Sequence, residues 1–201
     1  MIPAAQKIPF QTQYQSNGKT ITLLSFDNFK GIPNSGIASQ CIGADHSSKC
    51  DYIEFMNKDG EQYILLIEAS DFQSTLTHLQ THENSRNTLI SAICQNGVPK
   101  KEAIKICKDA ERELFYEIKS KSTISILSLF YLPKKFAIRH DNIMNAKKTC
   151  IFVAEGQFRT DIARILDNIR LRLRSDLNWA FDDILVMTEA DFIDNMIKAG
   201  F

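Results

Sequence analysis

Residues 49–71, KCDYIEFMNKDGEQYILLIEASD, decide the fold. Two apolar runs, CDYIEFM and EQYILLIE, flank Asn57-Lys58-Asp59-Gly60. An Asp-Gly pair between such runs favours the positive φ values of a tight hairpin turn. In the first arm Tyr52 and Glu54 fall on one face, Ile53 and Phe55 on the other. The second arm is apolar on both faces from Tyr63 to Ile67, as a central strand covered on both sides should be. After Glu68 the pattern changes. Ser70 and Gln73 have capping-box spacing, and Phe72, Leu76 and Leu79 form one stripe, so a helix is predicted to start there.

Working outward, Thr20 to Phe26 is β-branched and apolar and predicts a strand. Residues 1–19 are polar and weakly patterned, the composition of a weakly ordered arm. Residues 27–48 are rich in Gly, Asn, Ser and Asp and predict a long loop. On the other side, a second helix is expected over Ser85 to Gln95, stopped near Gly97. A third, with Pro99 in its first turn, runs to about Lys119, its inner face Ile104, Cys107, Ala110, Leu114 and Ile118. Residues 84–120 thus form a helical insert. Thr123 to Leu132 (TISILSLFYL) has strong β character and predicts a strand, as does Thr149 to Ala154. An amphipathic helix over Arg159 to Arg174, a short strand over Ile184 to Met187 and a helix over Glu189 to Lys198 close the chain. The expectation is one α/β domain over residues 1–201, a mixed central sheet with helices on both faces.

Composition narrows the class. The chain has 201 residues, 44% hydrophobic and 24% charged, including 13 Phe, enough apolar surface for a substantial core. No apolar run approaches the roughly 18 residues of a membrane span, and the start lacks the pattern of a signal peptide. Five scattered cysteines (41, 50, 94, 107 and 150), odd in number, fit a cytoplasmic protein with reduced thiols. With 24 acids against 24 bases, whole-chain electrostatic steering toward nucleic acid is absent, though a local basic groove is compatible.

Chemistry is concentrated in the hairpin. Asp51 opens one arm and Glu68 closes the other, which brings two carboxylates together as oxygen ligands for a hard divalent cation. Such a cation activates water and neutralises charge at a scissile phosphate. A lysine two residues beyond the Glu lies on the same strand face and assists the developing charge. Lys49-Cys50-Asp51-Tyr52, the apolar second arm and Glu68 before a helix resemble the restriction-endonuclease-like PD-(D/E)xK superfamily over about 25 residues. The resemblance implies a restriction-endonuclease-like core, Asp51 and Glu68 as ligands of Mg²⁺ or Mn²⁺, and phosphodiester hydrolysis in bacterial defence or a mobile element. The sequence departs from the pattern at Ser70, where the motif has Lys; Lys49 is then the nearest candidate helper. A structural account is equally open: Asp51 begins a strand, Glu68 ends one, and Ser70 caps a helix.

Other candidates are weaker. Cys41, His46 and Cys50 have no second ligand pair for zinc. His78 and His82, four apart, lack the Glu of a zinc protease. Cys107 and Cys150 fit packed thiols better than nucleophiles. Lys134, Lys135, Arg139, Lys147, Lys148 and Arg159, with His140 among them, form a candidate phosphate-contacting patch. Arg164, Arg170, Arg172 and Arg174 extend it along a helix, but Asp161, Asp167 and Asp176 interleave as on any solvated face. No P-loop, GxGxxG, GxSxG or kinase motif is present. Two functions follow: a nuclease-fold protein cutting or contacting nucleic acid, or a catalytically inactive protein-interaction module of immunity or accessory type on the same scaffold.

Overall fold

The computed structural model describes residues 4–27, 36–42, 49–70, 90–155 and 162–201. The hairpin forms as its turn chemistry requires. Strands β3 (Tyr52–Lys58) and β4 (Glu61–Ser70) are joined by Asp59 and Gly60, with φ 54° and 81°. Both central residues are left-handed, the requirement of the two-residue hairpin turn that follows strand twist.

A second hairpin of the same kind occupies the segment expected to be a weakly ordered arm. A short helix α1 (Ala4–Lys7) and a 3₁₀ turn (Ile8–Phe10) lead into β1 (Gln11–Ser16), which pairs with β2 (Lys19–Ser25). Asn17 and Gly18 turn between them at φ 49° and 72°. Asn-Gly between two alternating runs was the signal; the polar outward face, Gln11, Gln13 and Gln15, masked it. Helix α2 (Ile37–Ile42) likewise lies inside the expected long loop. Before it, Gly36 approaches the backbone so closely that an added Cβ would meet the Asp27 carbonyl oxygen at 2.3 Å. Gly36→Ala is therefore expected to lower stability by about 2 kcal/mol in chemical denaturation, because a backbone neighbour cannot swing aside.

The largest departure concerns Thr123 to Leu132, expected as a strand. Residues 90–95 form a helix α3, and after Gly97 (φ 85°) helix α4 runs unbroken from Lys100 to Leu129, with Pro99 at its N-cap rather than inside its first turn. Helix α5 (Leu132–Lys135) follows at once. β-branched Thr123, Ile124 and Ile126 are overruled by burial at helical spacing: Ile118, Ser122, Ser125, Ile126 and Leu129 are all buried. The serine hydroxyls are satisfied within the helix, Ser122 donating to the Ile118 carbonyl (2.9 Å) and Ser128 to that of Ile124 (2.7 Å). The helical insert thus has no boundary at residue 120. Ile90, Ala103 and their neighbours make a small satellite cluster, while α4 from Ile118 onward belongs to the main core.

Helix α6 (His140–Asn145), β5 (Lys147–Ala154), α7 (Ile162–Leu177), β6 (Asp183–Thr188) and α8 (Glu189–Lys198) complete the chain. The six strands lie in sequence order. β1 to β4 pair antiparallel, and β4, β5 and β6 run parallel through crossovers. One face carries Ile53, Ile64, Leu66, Cys150 and Phe152, packed with residues of α2, α4, α5, α6 and α7. The other carries Ile21, Leu23, Leu65, Ile67, Ile151 and Val153 under Phe192, Ile193 and Met196 of α8. α8 touches β1 and β2 as well as β5 and β6, so the sheet curls around it. The α/β class and the mixed sheet are as expected. Among the described residues no helix is long and apolar enough to cross a membrane.

Candidate functional site

β3 begins at Tyr52, which pairs with Ile67, so Asp51 arrives just beyond the last rung, beside Glu68 and Ala69. Asp51 Oδ2 accepts the Ala69 N–H at 2.8 Å. Glu68 is 1% exposed, on the sheet face that α4 covers. Its Oε1 accepts from Lys121 Nζ of α4 at 2.6 Å. Burial, then the charge of Glu68, pushes the Asp51 carboxyl up to about 7; the Ala69 N–H and Lys121 pull the other way. The hairpin register thus sets Asp51 beside Glu68, and the charge of one carboxylate acts on the other. On the opposite face Tyr52 also feels Asp51: burial first, then this charge, pushes its hydroxyl up to about 12.

Two elements fix the approach to Asp51, the segment that leaves β2 and helix α4. Asp27, past the end of β2, accepts the Lys49 N–H at 3.4 Å. Ser125 of α4 accepts the Cys50 N–H at 2.8 Å. The Asp51 carbonyl accepts from the N–H groups of Phe26 (2.8 Å) and Asp27 (3.4 Å). One turn of α4 thus serves both arms, Lys121 gripping Glu68 and Ser125 the residue beside Asp51. α4 crosses the sheet here, since Ser122, in the same turn, lies 3.7 Å from Cys150 of β5.

The candidate helper Lys49 is placed differently from expectation. It is fully buried, and its ammonium pairs with Asp27 at 3.6 Å. Lys121, absent from every motif, places a cation on Glu68; fifty-three residues separate them and the crossing of α4 joins them. Ser70 ends β4, opposite Ala154 of β5; its side chain and the helix expected after it lie outside the described residues. Cys50 and Cys150 are buried, and the neighbouring Cys150 thiol and burial push Cys50 well above its usual range, so Cys50 is not a reactive thiolate. His46, His78, His82 and Arg159 lie outside the described residues, as do the side chains of Cys41, Cys107 and Arg164.

The basic patch stands apart. Lys147 opens β5 opposite Tyr63, whereas Glu68 pairs with Phe152. Five residues of strand, roughly 16 Å, separate the two ends. Lys147 is paired with Glu61 and lies over the Tyr63 ring at 5.7 Å. Lys148 Nζ donates to the carbonyls of Ala146 (2.9 Å) and Met144 (3.2 Å). Arg139 pairs with Asp141 at 3.6 Å, and Lys134 lies over the Tyr131 ring at 4.8 Å.

Two carboxylates suit a hard cation that keeps most of its water, as Mg²⁺ does. Among the described residues no group of three or more His, Cys, Asp or Glu is arranged to hold a metal. Comparison with known proteins finds no matching family model, curated protein or solved structure.

Proposed function

We propose that the chain is a divalent-metal-dependent phosphodiesterase with a restriction-endonuclease-like core, acting on nucleic acid. The observation that carries the reading is the Lys121 ammonium 2.6 Å from Glu68, beside Asp51. It supplies the two acids and one lysine that the PD-(D/E)xK resemblance calls for, with the lysine drawn from a helix instead of position 70. Asp51 and Glu68 would hold Mg²⁺ or Mn²⁺, which supplies a water of lowered pKa and charge neutralisation at the phosphate. Lys121 stabilises the negative charge that develops on the phosphoryl oxygens. Lys134, Lys135 and Arg139 contact the backbone of a nucleic acid long enough to reach the far end of the sheet.

Calorimetric titration with Mn²⁺ tests this. The wild type is expected to bind, and the Asp51→Ala, Glu68→Ala double variant to give no heat of binding, since each ligand contributes directly to the cation's shell. One observation favours a second reading, a non-catalytic protein-interaction module: Glu68 is 1% exposed and its Oε1 is already engaged by Lys121 in an internal ion pair. No Mn²⁺ binding by the wild type at millimolar metal would select it.

A further inference from the structure

Asp51 lies outside β3 and its ladder, so something else must set its carboxylate. Asp27 makes three of the contacts that do so. Its Oδ2 accepts the Lys49 N–H (3.4 Å), its Oδ1 pairs with the Lys49 ammonium (3.6 Å), and its own N–H donates to the Asp51 carbonyl (3.4 Å). It thus touches the residues on both sides of Cys50. Asp27 is itself anchored, its carbonyl accepting from Ser25 Oγ at 2.8 Å and its backbone packed against Gly36.

Resting on the reading of Asp51 and Glu68 as the site, we propose that Asp27 is a positioning residue for Asp51: through Lys49 it holds residues 49–51 where the Asp51 carboxylate meets the Ala69 N–H. The pair is built for rigidity. A fully buried ammonium is tolerated only with a compensating charge. The Lys49 ammonium and Asp27 thus stabilise each other, and the backbone that Lys49 carries stays with the pair. A site on a loop edge gains accuracy when its supporting contacts are locked in this way.

The Ala69 N–H reports directly on the result, because its acceptor is the Asp51 carboxylate. Amide hydrogen exchange is measured on the full chain as wild type, Asp27→Ala/Lys49→Met and Asp27→Asn/Lys49→Met. Both variants remove the two charges together, so no ammonium is stranded in the core. The Asn variant keeps an acceptor for the residue-49 N–H. Ala69 is expected to exchange about tenfold faster in the Ala variant and near the wild-type rate in the Asn variant. Ile21, whose N–H faces Tyr14 in the β1–β2 hairpin, should be unchanged in both. Wild-type protection of Ala69 in the Ala variant overturns the proposal, as does equal loss at Ala69 and Ile21, which marks general destabilisation. The readout needs no metal, so it decides the role of Asp27 whether or not Mn²⁺ titration supports the proposed activity.

Discussion

Replacing Lys121 by methionine is expected to lower the rate of Mn²⁺-dependent phosphodiester cleavage about 10²–10³-fold while leaving Mn²⁺ affinity equal or tighter. The rate effect follows from losing a fixed cation at developing charge, an interaction of the size found for single oxyanion donors. The affinity effect follows from geometry. Lys121 Nζ occupies Glu68 Oε1 at 2.6 Å, so a cation at Glu68 must compete with it. Methionine keeps the side chain, which is one-fifth exposed, as far as Cε and removes the competitor. If Lys121 only holds Glu68 in place, affinity and rate fall together, and the role assigned to it fails. Lys121→Arg should retain part of the rate, since it retains the charge but not the compact ammonium.

That this lysine escaped the sequence reading has a physical cause. Asp51 and Glu68 are close because a two-residue turn fixes their register, and turn and register are local properties of residues 49–70. Lys121 and Ser125 reach the same place through the packing of α4 over β4, β5 and the segment before β3, and no local pattern encodes a crossing angle. The misassigned strand at Thr123 to Leu132 made this worse, because a strand would have sent Lys121 elsewhere. Its β-branched residues outweighed a better signal, three serines at 122, 125 and 128, one helical turn apart and all buried. β1 was hidden by its glutamines although Asn17-Gly18 announced the turn. The mixed sheet, by contrast, was legible from one hairpin and two apolar strands alternating with amphipathic helices. The basic patch was read as one surface from sequence proximity, yet β5 carries its lysines to the end of the sheet away from the carboxylates.

Stability should depend on pH through Glu54, and Glu54→Gln should be more stable than the wild type by about 2–3 kcal/mol at pH 8. Glu54 is 5% exposed, and its Oε1 accepts the Leu24 N–H at 2.8 Å where β2 and β3 part after two rungs. Burial pushes its carboxyl from 4.5 up to about 7, against the pull of Lys7 and of the Leu24 and Phe55 N–H groups. Below about pH 4.5 both the folded and the unfolded chain carry the proton, and the shift has no effect. Between about 4.5 and 7 the unfolded chain ionises while the folded one stays protonated, so stability falls as pH rises. Above about 7 both are ionised and the full penalty, about 3 kcal/mol, persists. Glutamine keeps a carbonyl for the Leu24 N–H and cannot ionise, so its advantage should vanish at pH 4 and grow across the same window. Asp51 titrates in that range too, but it is present in both proteins and largely cancels from the difference. Urea denaturation of the two proteins at pH 4, 6 and 8 measures it. A constant difference across the three values, or a less stable glutamine variant at pH 8, would mean that Lys7 and the two N–H groups fully offset the burial of the Glu54 carboxylate.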